Sequence, residues 1–265
     1  MTRVLAVANQ KGGVGKTTTT VNLAAALAND GREVLVIDLD PQGNASTALG
    51  LEHHSGIPST YEVLTQDVPL ADIVAGVAEG GGHLWAAPAT IDLAGAEIEL
   101  VSLVAREGRL DRAIQAYLVE HAARHGRPLD YVIIDCPPSL GLLTLNALVA
   151  ARELLLPIQC EYYALEGVSQ LLRTVDLVTK HLNPDLRVGA VLLTMYDGRT
   201  RLSSQVVQEV REHFGEAVLP TVIPRSVRLS EAPSYGQTVL AYDAGSSGAL
   251  AYVQAARDLD EGTHD

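Results

Sequence analysis

Two lysines lie five residues apart in the segment Lys11-Gly12-Gly13-Val14-Gly15-Lys16-Thr17, and the other 263 residues contain only one more. Everywhere else but Lys180 the basic residues are arginines. A compact ammonium on a flexible stem suits a phosphate reached from a loop. The glycines let successive backbone N–H groups curl around an anion, and a helix starting behind them adds its partial positive charge. In such a loop Lys16 reaches the β- and γ-phosphates of a nucleotide, and the Thr17 hydroxyl holds Mg2+. Gly12, Gly13, Val14, Gly15 and Thr18 complete the expected phosphate-contacting set. The common phosphate-loop pattern has glycine where this chain has Gln10, and Lys11 stands beside it. Two ammonium groups on one cradle are redundant within a single chain. The early Lys11 can instead point outward, to a nucleotide held by a second copy.

Carboxylates of matching chemistry follow two apolar runs. Asp38-Leu39-Asp40-Pro41-Gln42-Gly43-Asn44 places two acids at i and i+2 in a turn, where both can face a ligand crevice. One can orient a metal's water shell and one can position an attacking water. Val132-Ile133-Ile134-Asp135 is an apolar run ending in an acid, the form expected of a Mg2+-proximal residue. Alone that run is a weak signal; beside the glycine loop it is a strong one. Thr17 and Asp135, with one acid of the pair Asp38 and Asp40, are thus the expected metal neighbours, and Lys11, Lys16 and the other acid of the pair the expected catalytic residues.

These side chains need elements to carry them. Strand-like runs are expected at residues 3–8, 34–37, 84–87, 131–134, 154–158, 188–194 and 218–223. Helical patterns are expected at 17–29, 110–124, 140–151, 168–181, 202–214 and 249–259. Gly31 and Gly126 stand where helix C-caps belong. Strands alternating with helix-length segments predict a doubly wound, mostly parallel α/β sheet flanked by helices, and continuous apolar strands predict that both sheet faces are covered. Residues 1–265 read as one domain. The stretch 55–82 reads as the least regular part, with residues 80–82 as a mobile turn.

Composition narrows the function classes. Hydrophobic residues make up 47% and charged residues 19%, enough to fill a core. With nine Tyr, one Trp and one Phe, a base-stacking platform for single strands is not expected. Two cysteines build neither a disulfide framework nor a zinc cage, which fits a reducing cytoplasmic setting. The longest uncharged stretch, 136–151, has 16 residues, short of the ~20 a bilayer span needs. The net charge of −13 argues against binding nucleic acid, but residues 187–228 hold six arginines against four acids.

The motifs above, with residues 9–20, 34–50, 130–139, 159–167, 192–200 and 222–236, resemble the chromosomal ParA (Soj) subgroup of the ParA/MinD ATPases. The likeness spans nearly the whole chain, with 55–129 the least alike and no helix-turn-helix extension ahead of the first strand. It implies the P-loop NTPase fold with a deviant Walker A loop. It further implies slow, Mg2+-dependent hydrolysis of ATP to ADP by a homodimer that sandwiches the nucleotide. Non-specific double-stranded DNA binding and release stimulated by a ParB-type partner complete the cycle, in a cytoplasmic, nucleoid-associated protein. In the family's terms Lys11 is the signature lysine acting across the dimer, Asp40 positions the hydrolytic water and Asp135 is the Walker B acid. Met195 and Pro224 fall near the expected adenine pocket. Arg199, Arg225 and Arg228, in segments without strong helical patterning, are the expected DNA contacts, with Arg225 also a candidate for the nucleotide.

Other readings carry less. A MinD-like membrane ATPase shares the loop, but the tail 257–265 is acidic and an anionic bilayer would repel it. Iron proteins with a similar loop share a cluster through two cysteines per chain; small buried thiols explain Cys136 and Cys160 better. His121 and His125 are spaced to share a metal on a helix, with no third ligand apparent. Ser139 and Ser230 lack an activating histidine, and Tyr162 and Tyr163 are expected to pack rather than catalyse.

Overall fold

The computed structural model describes residues 1–162 and 164–262, apart from the side chain of Glu166. Along the chain run β1 (Arg3–Val7), α1 (Lys16–Asn29), β2 (Val34–Asp38), α2 (Asn44–Ala48), α3 (Thr60–Gln66), β3 (Ala75–Gly76) and β4 (Leu84–Ala87). Then come α4 (Leu93–Leu100), α5 (Arg109–His125), β5 (Tyr131–Asp135), α6 (Leu142–Ala150), β6 (Glu153–Gln159) and α7 (Ser169–His181). The chain continues through β7 (Arg187–Tyr196), α8 (Arg201–Phe214), β8 (Val218–Pro224), α9 (Val227–Glu231), α10 (Val239–Tyr242) and α11 (Ser247–Glu261).

The strands form one sheet in the order β3-β4-β2-β5-β1-β6-β7-β8. Only the two-residue edge strand β3 pairs antiparallel. Both faces are covered, as the unbroken apolar strands require. Val4 and Ala6 point into one aliphatic layer with α3 to α8, while Leu5 and Val7 point into another with α1 and α11. Register aligns the strand ends that matter: Val7 lies opposite Asp135, and Asp135 opposite Asp38. Three chemistry-bearing loops therefore leave the same edge of the sheet, where the order turns outward on either side of β1.

The expected strands and long helices stand within one or two residues of their expected ends. The helix expected at 140–151 starts only at Leu142, because Gly141 is extended at φ −82, ψ −166. The segment 55–82 is more ordered than its composition implies. It holds α3, whose start is a capping box in which the Ser59 hydroxyl accepts from Tyr61 N and the Glu62 carboxylate accepts from Ser59 N. Gly80 is not an open turn: it is buried, and a Cβ there would stand 2.9 Å from both Ala28 Cβ and Leu84 Cβ. One segment bearing an expected DNA arginine also differs from expectation: Arg228 lies in α9, a helix of five residues, too short to leave an apolar pattern.

Candidate nucleotide site

The glycine loop joins β1 to α1 and is pinned from both sides. Asn9 is buried, donates through Nδ2 to Pro157 O (2.8 Å) and accepts from Lys11 N through Oδ1 (3.0 Å). Across the loop, Thr194 Oγ1 donates to Val14 O at 2.8 Å. Gly13 and Gly15 have φ of +74° and +91°, a region that glycine enters without the Cβ clash. Gly15 N-caps α1 with no side chain in the way, so the first N–H groups of the helix remain free for an anion.

Lys16 lies in the loop's floor, 93% buried, with Nζ donating to Lys11 O at 3.2 Å. Burial lowers its pKa, while the carboxylates of Asp135 and Asp40 oppose that. Lys11 sits differently. It is half exposed at the rim, and its ammonium is ion-paired with Glu161 in the loop after β6. Glu161 escaped the sequence reading because that contact spans 150 residues.

Asp135 is fully buried and accepts from two hydroxyls, Thr17 Oγ1 at 2.7 Å and Thr20 Oγ1 at 3.0 Å. Among the described residues no cation is ion-paired with it. Burial, with Asp38 nearby, pushes its pKa up. A buried carboxylate held only by neutral donors is poorly compensated, and a hard cation is the natural remedy. The all-oxygen donor set of Thr17 and Asp135 fits magnesium in that respect.

The two acids of the β2 turn separate in role. Asp38 is buried and turned inward: Oδ2 accepts from Ser46 N (2.9 Å) and Ser46 Oγ (2.8 Å), and Oδ1 from Asp40 N (3.0 Å). Burial pushes its pKa up as well. Asp38 thus fastens α2 to the sheet, while Asp40 lines the cleft.

That cleft has a volume of about 830 Å³, in the range of small-molecule sites. One end is formed by Gly12, Gly13, Gly15, Lys16, Thr17, Thr18 and Asp40. The other is largely apolar, with Met195, Ile223, Pro224, Leu229, Pro233 and Tyr252. Such a division matches a molecule with an anionic end and a flat hydrophobic end. Met195 is one of three described non-glycine residues at positive φ, +53°. Backbone strain of this kind concentrates at ligand sites. Tyr252 reaches the wall from α11 and hydrogen-bonds Thr19 Oγ1 at 3.2 Å, a partnership no local pattern announces.

The three expected DNA arginines follow the neighbouring strands β7 and β8, which pair through Tyr196 and Pro224; Arg199 and Arg225 lie in the loops after them and Arg228 in α9. Arg225 borders the cleft. Arg199 is exposed and forms a two-pronged ion pair with Asp197 at 2.9 and 2.7 Å. Arg228 pairs with Glu231 at 2.9 Å and with Asp243 at 3.3 Å.

Cys136 and Cys160 are buried, and burial pushes both thiols up, Cys160 to about 11, as expected of packing thiols rather than ligands. His121 and His125 stack at 4.5 Å with 29° between their rings, so their nitrogens do not converge on one ion. Among the described residues no group of three or more His, Cys, Asp or Glu is placed to hold a metal. Tyr162 is 65% exposed; Tyr163 and residues 263–265 lie outside the described residues. No helix among the described residues is long and apolar enough to cross a membrane.

A glycine cradle at a helix start, a buried lysine and a threonine–aspartate oxygen pair, at the edge where parallel strands end, define a P-loop nucleotide hydrolase. A family model described as an AAA domain matches residues 2–188. The chain is 53% identical over 259 residues to the sporulation initiation inhibitor protein Soj of Bacillus subtilis (strain 168), covering 98% of each. It is 49% identical to the chromosome partitioning protein ParA of Myxococcus xanthus (strain DK1622), over 97% of this chain and 87% of that one. A Mycobacterium smegmatis structure described as cobyrinic acid a,c-diamide synthase with bound ATP analog and magnesium superposes with a TM-score of 0.80 at 42% identity, covering 97% of this chain and 93% of that chain. The chain belongs to the ParA/Soj family of chromosome-partitioning ATPases.

Proposed function

We propose that residues 1–265 act as one ATP-driven partitioning domain, cycling between a monomer and a homodimer closed over ATP. The observation that carries this is the division of labour between two lysines of one loop. Lys16 is buried in the phosphate floor, and Lys11 stands on the rim with an exchangeable partner. In this reading the N–H groups of residues 12–17 bind the phosphates and Lys16 neutralises the β- and γ-oxygens. The base lies between Met195 and Pro224. Thr17 and Asp135 hold magnesium, with Asp40 beside it; a bound Mg2+ supplies charge neutralisation to the phosphates. Asp40 holds the attacking water in line. Lys11 leaves Glu161 for the nucleotide of the second copy.

DNA binding follows from doubling the arginine-bearing edge in the dimer. Arg199 and Arg228 exchange their carboxylate partners for phosphates, and Arg225 serves the same edge. Exposed ion pairs of this kind are weak, so the exchange is easy. Hydrolysis, stimulated by a ParB-type partner, returns the protein to its DNA-free form in the cytoplasm. A membrane-docking role fits less well. The end of α11 carries Asp258, Asp260 and Glu261, which an anionic bilayer repels.

Co-sedimentation with duplex DNA and with anionic liposomes, each with ATP, ADP or no nucleotide, tests the reading. ATP-dependent pelleting with DNA alone is expected. ATP-dependent pelleting with liposomes alone would transfer the protein to the membrane class. If DNA is the ligand, Arg199→Ala and Arg228→Ala each flatten the slope of log K against log salt by about two units, because every lost contact occurs twice in a dimer.

A further inference from the structure

The turn that carries Asp40 is gripped from behind by a histidine. Gly43 N donates to Asp40 O at 2.8 Å, and Gln42 N donates to Asp40 Oδ1 at 3.0 Å, so Asp40 and Gly43 move as one unit. Gly43 sits at φ +62°, and a Cβ there would stand 2.5 Å from His53 Nδ1 and 3.1 Å from Ala89 O. The glycine is therefore sandwiched between an imidazole and a backbone carbonyl. His53 is itself fixed. Its Nε2 is 2.8 Å from Thr47 Oγ1, and that hydroxyl donates its one proton to Gly43 O at 3.0 Å. With that hydroxyl donating to Gly43 O, Nε2–H is the group that donates to Thr47 Oγ1, and the Nδ1 side of the ring faces Gly43. Asp40, Gln42, Asn44 and Thr47 line the nucleotide cleft; His53 is not among its lining residues and braces the far side of the turn.

We propose that His53 is a positioning residue for ATP hydrolysis: through Thr47 and Gly43 it fixes the turn that aims Asp40 at the attacking water. The inference rests on the reading of Asp40 as the water-positioning acid. Asp38 and Ser46 tie the same turn to the sheet, and Ala89 N donates to Ser46 Oγ at 3.0 Å. His53 braces the turn from the segment that follows α2, and Thr60 Oγ1 donates to Asp38 O at 2.9 Å at the turn's start. Losing His53 loosens the aim of Asp40 without removing a group that touches the nucleotide. The expected signature is therefore a fall in kcat at constant KM.

The test is single-turnover hydrolysis at saturating ATP and Mg2+ on the full chain, with ATP affinity measured separately. His53→Ala is expected to lower the rate about 10-fold while ATP affinity stays within about twofold. His53→Gln, whose amide N–H can occupy the Nε2 position, should recover most of the rate. Thr47→Val removes the acceptor at constant shape and should lower the rate similarly. The double variant His53→Ala/Thr47→Val should be no slower than the slower single, because both cut the same brace. An unchanged rate in His53→Ala, with Asp40→Ala inactive, overturns the inference and leaves the Asp40 reading intact. A raised KM at unchanged kcat, or full additivity of the two substitutions, overturns it as well. Wild-type turnover in Asp40→Ala removes the reading beneath it. Should His53→Ala misfold, the Gln and Val variants decide the matter by the same split.

Discussion

The two edges of the parallel sheet treat buried carboxylates in opposite ways. At the edge where strands end, Asp135 and Asp38 are buried among hydroxyls and backbone amides, and among the described residues no arginine pairs with either. At the edge where strands begin, Glu33 and Glu153 are buried against guanidinium groups. Glu33 Oε1 accepts from Arg127 at 2.9 Å and His83 at 2.7 Å, and Glu153 takes two bonds from Arg3 at 2.7 and 3.1 Å. Guanidinium partners neutralise a carboxylate within the fold, and the result is a fastened seam. Hydroxyl partners leave its charge uncompensated, so a proton or a bound cation has to neutralise it. One edge is built for stability and the other for chemistry, although both carry buried acids.

Substitution of Asp40 gives the sharpest test of the chemical edge. Asp40→Ala should lower ATP turnover by about 100-fold or more while ATP still binds, since the phosphate cradle is untouched. Light scattering after size exclusion should show the variant accumulating as an ATP-bound dimer. Wild-type turnover would remove the acid from the mechanism.

At the structural edge, Glu33→Ala should destabilise the fold by about 2 kcal/mol in urea unfolding. The cost is held down because Arg127 is half exposed and regains water. The same substitution should leave ATP affinity unchanged. A loss of nucleotide binding in a correctly folded variant would break the division between the edges.

Lys16→Ala should weaken ATP binding by about 30-fold, on the order of 2 kcal/mol, through loss of a charge-assisted phosphate contact. Lys11→Ala should leave monomer affinity unchanged and abolish ATP-dependent dimerisation. Equal losses of affinity in the two variants, by calorimetry, would contradict the cross-dimer role of Lys11.

The smallest expected effect is the pH response of the structural edge. His121 is buried beside Glu33, and its pKa is lowered from 6.5, chiefly by burial and then by His125. Because the folded value lies below the unfolded one, the unfolded chain takes up the proton first as pH falls. Stability is therefore level above pH 6.5 and declines below it, by at most about 1.4 kcal/mol per pH unit. Thermal melts of His121→Gln between pH 7 and 5 should show a shallower decline than wild type. An identical decline in the two would assign the response to another group.

Much of the chemical edge was readable without coordinates because its parts are contiguous. Strand, glycine loop, lysine, threonine and helix occupy residues 3–29 in one run, and their order alone defines a phosphate cradle. Asp40 and Asp135 were legible for the same reason, Asp135 closing an apolar strand and Asp40 lying in the turn directly after one. The long helices and strands follow from apolar periodicity and glycine stops. The capping box at Ser59 and Glu62 was also local, but α3 was overlooked in a polar stretch; α2, α9 and α10 are too short to establish a period.

What the tertiary structure decided is everything that depends on register and long-range pairing. It made Asp38 an anchor and left Asp40 facing the cleft, through a bond to Ser46 eight residues away. It also gave Lys11 a partner in Glu161, brought Met195 and Pro224 to one wall, and placed His53 behind Gly43. Arg199 and Arg228 acquired carboxylate partners there too, which composition cannot show. The physical reason is common to all of these. Backbone propensity and apolar period act over a few residues and are written along the chain. The partner of a buried or rim charge is set by which strands lie side by side, and that order, β2-β5-β1-β6-β7-β8, exists only once the chain has folded.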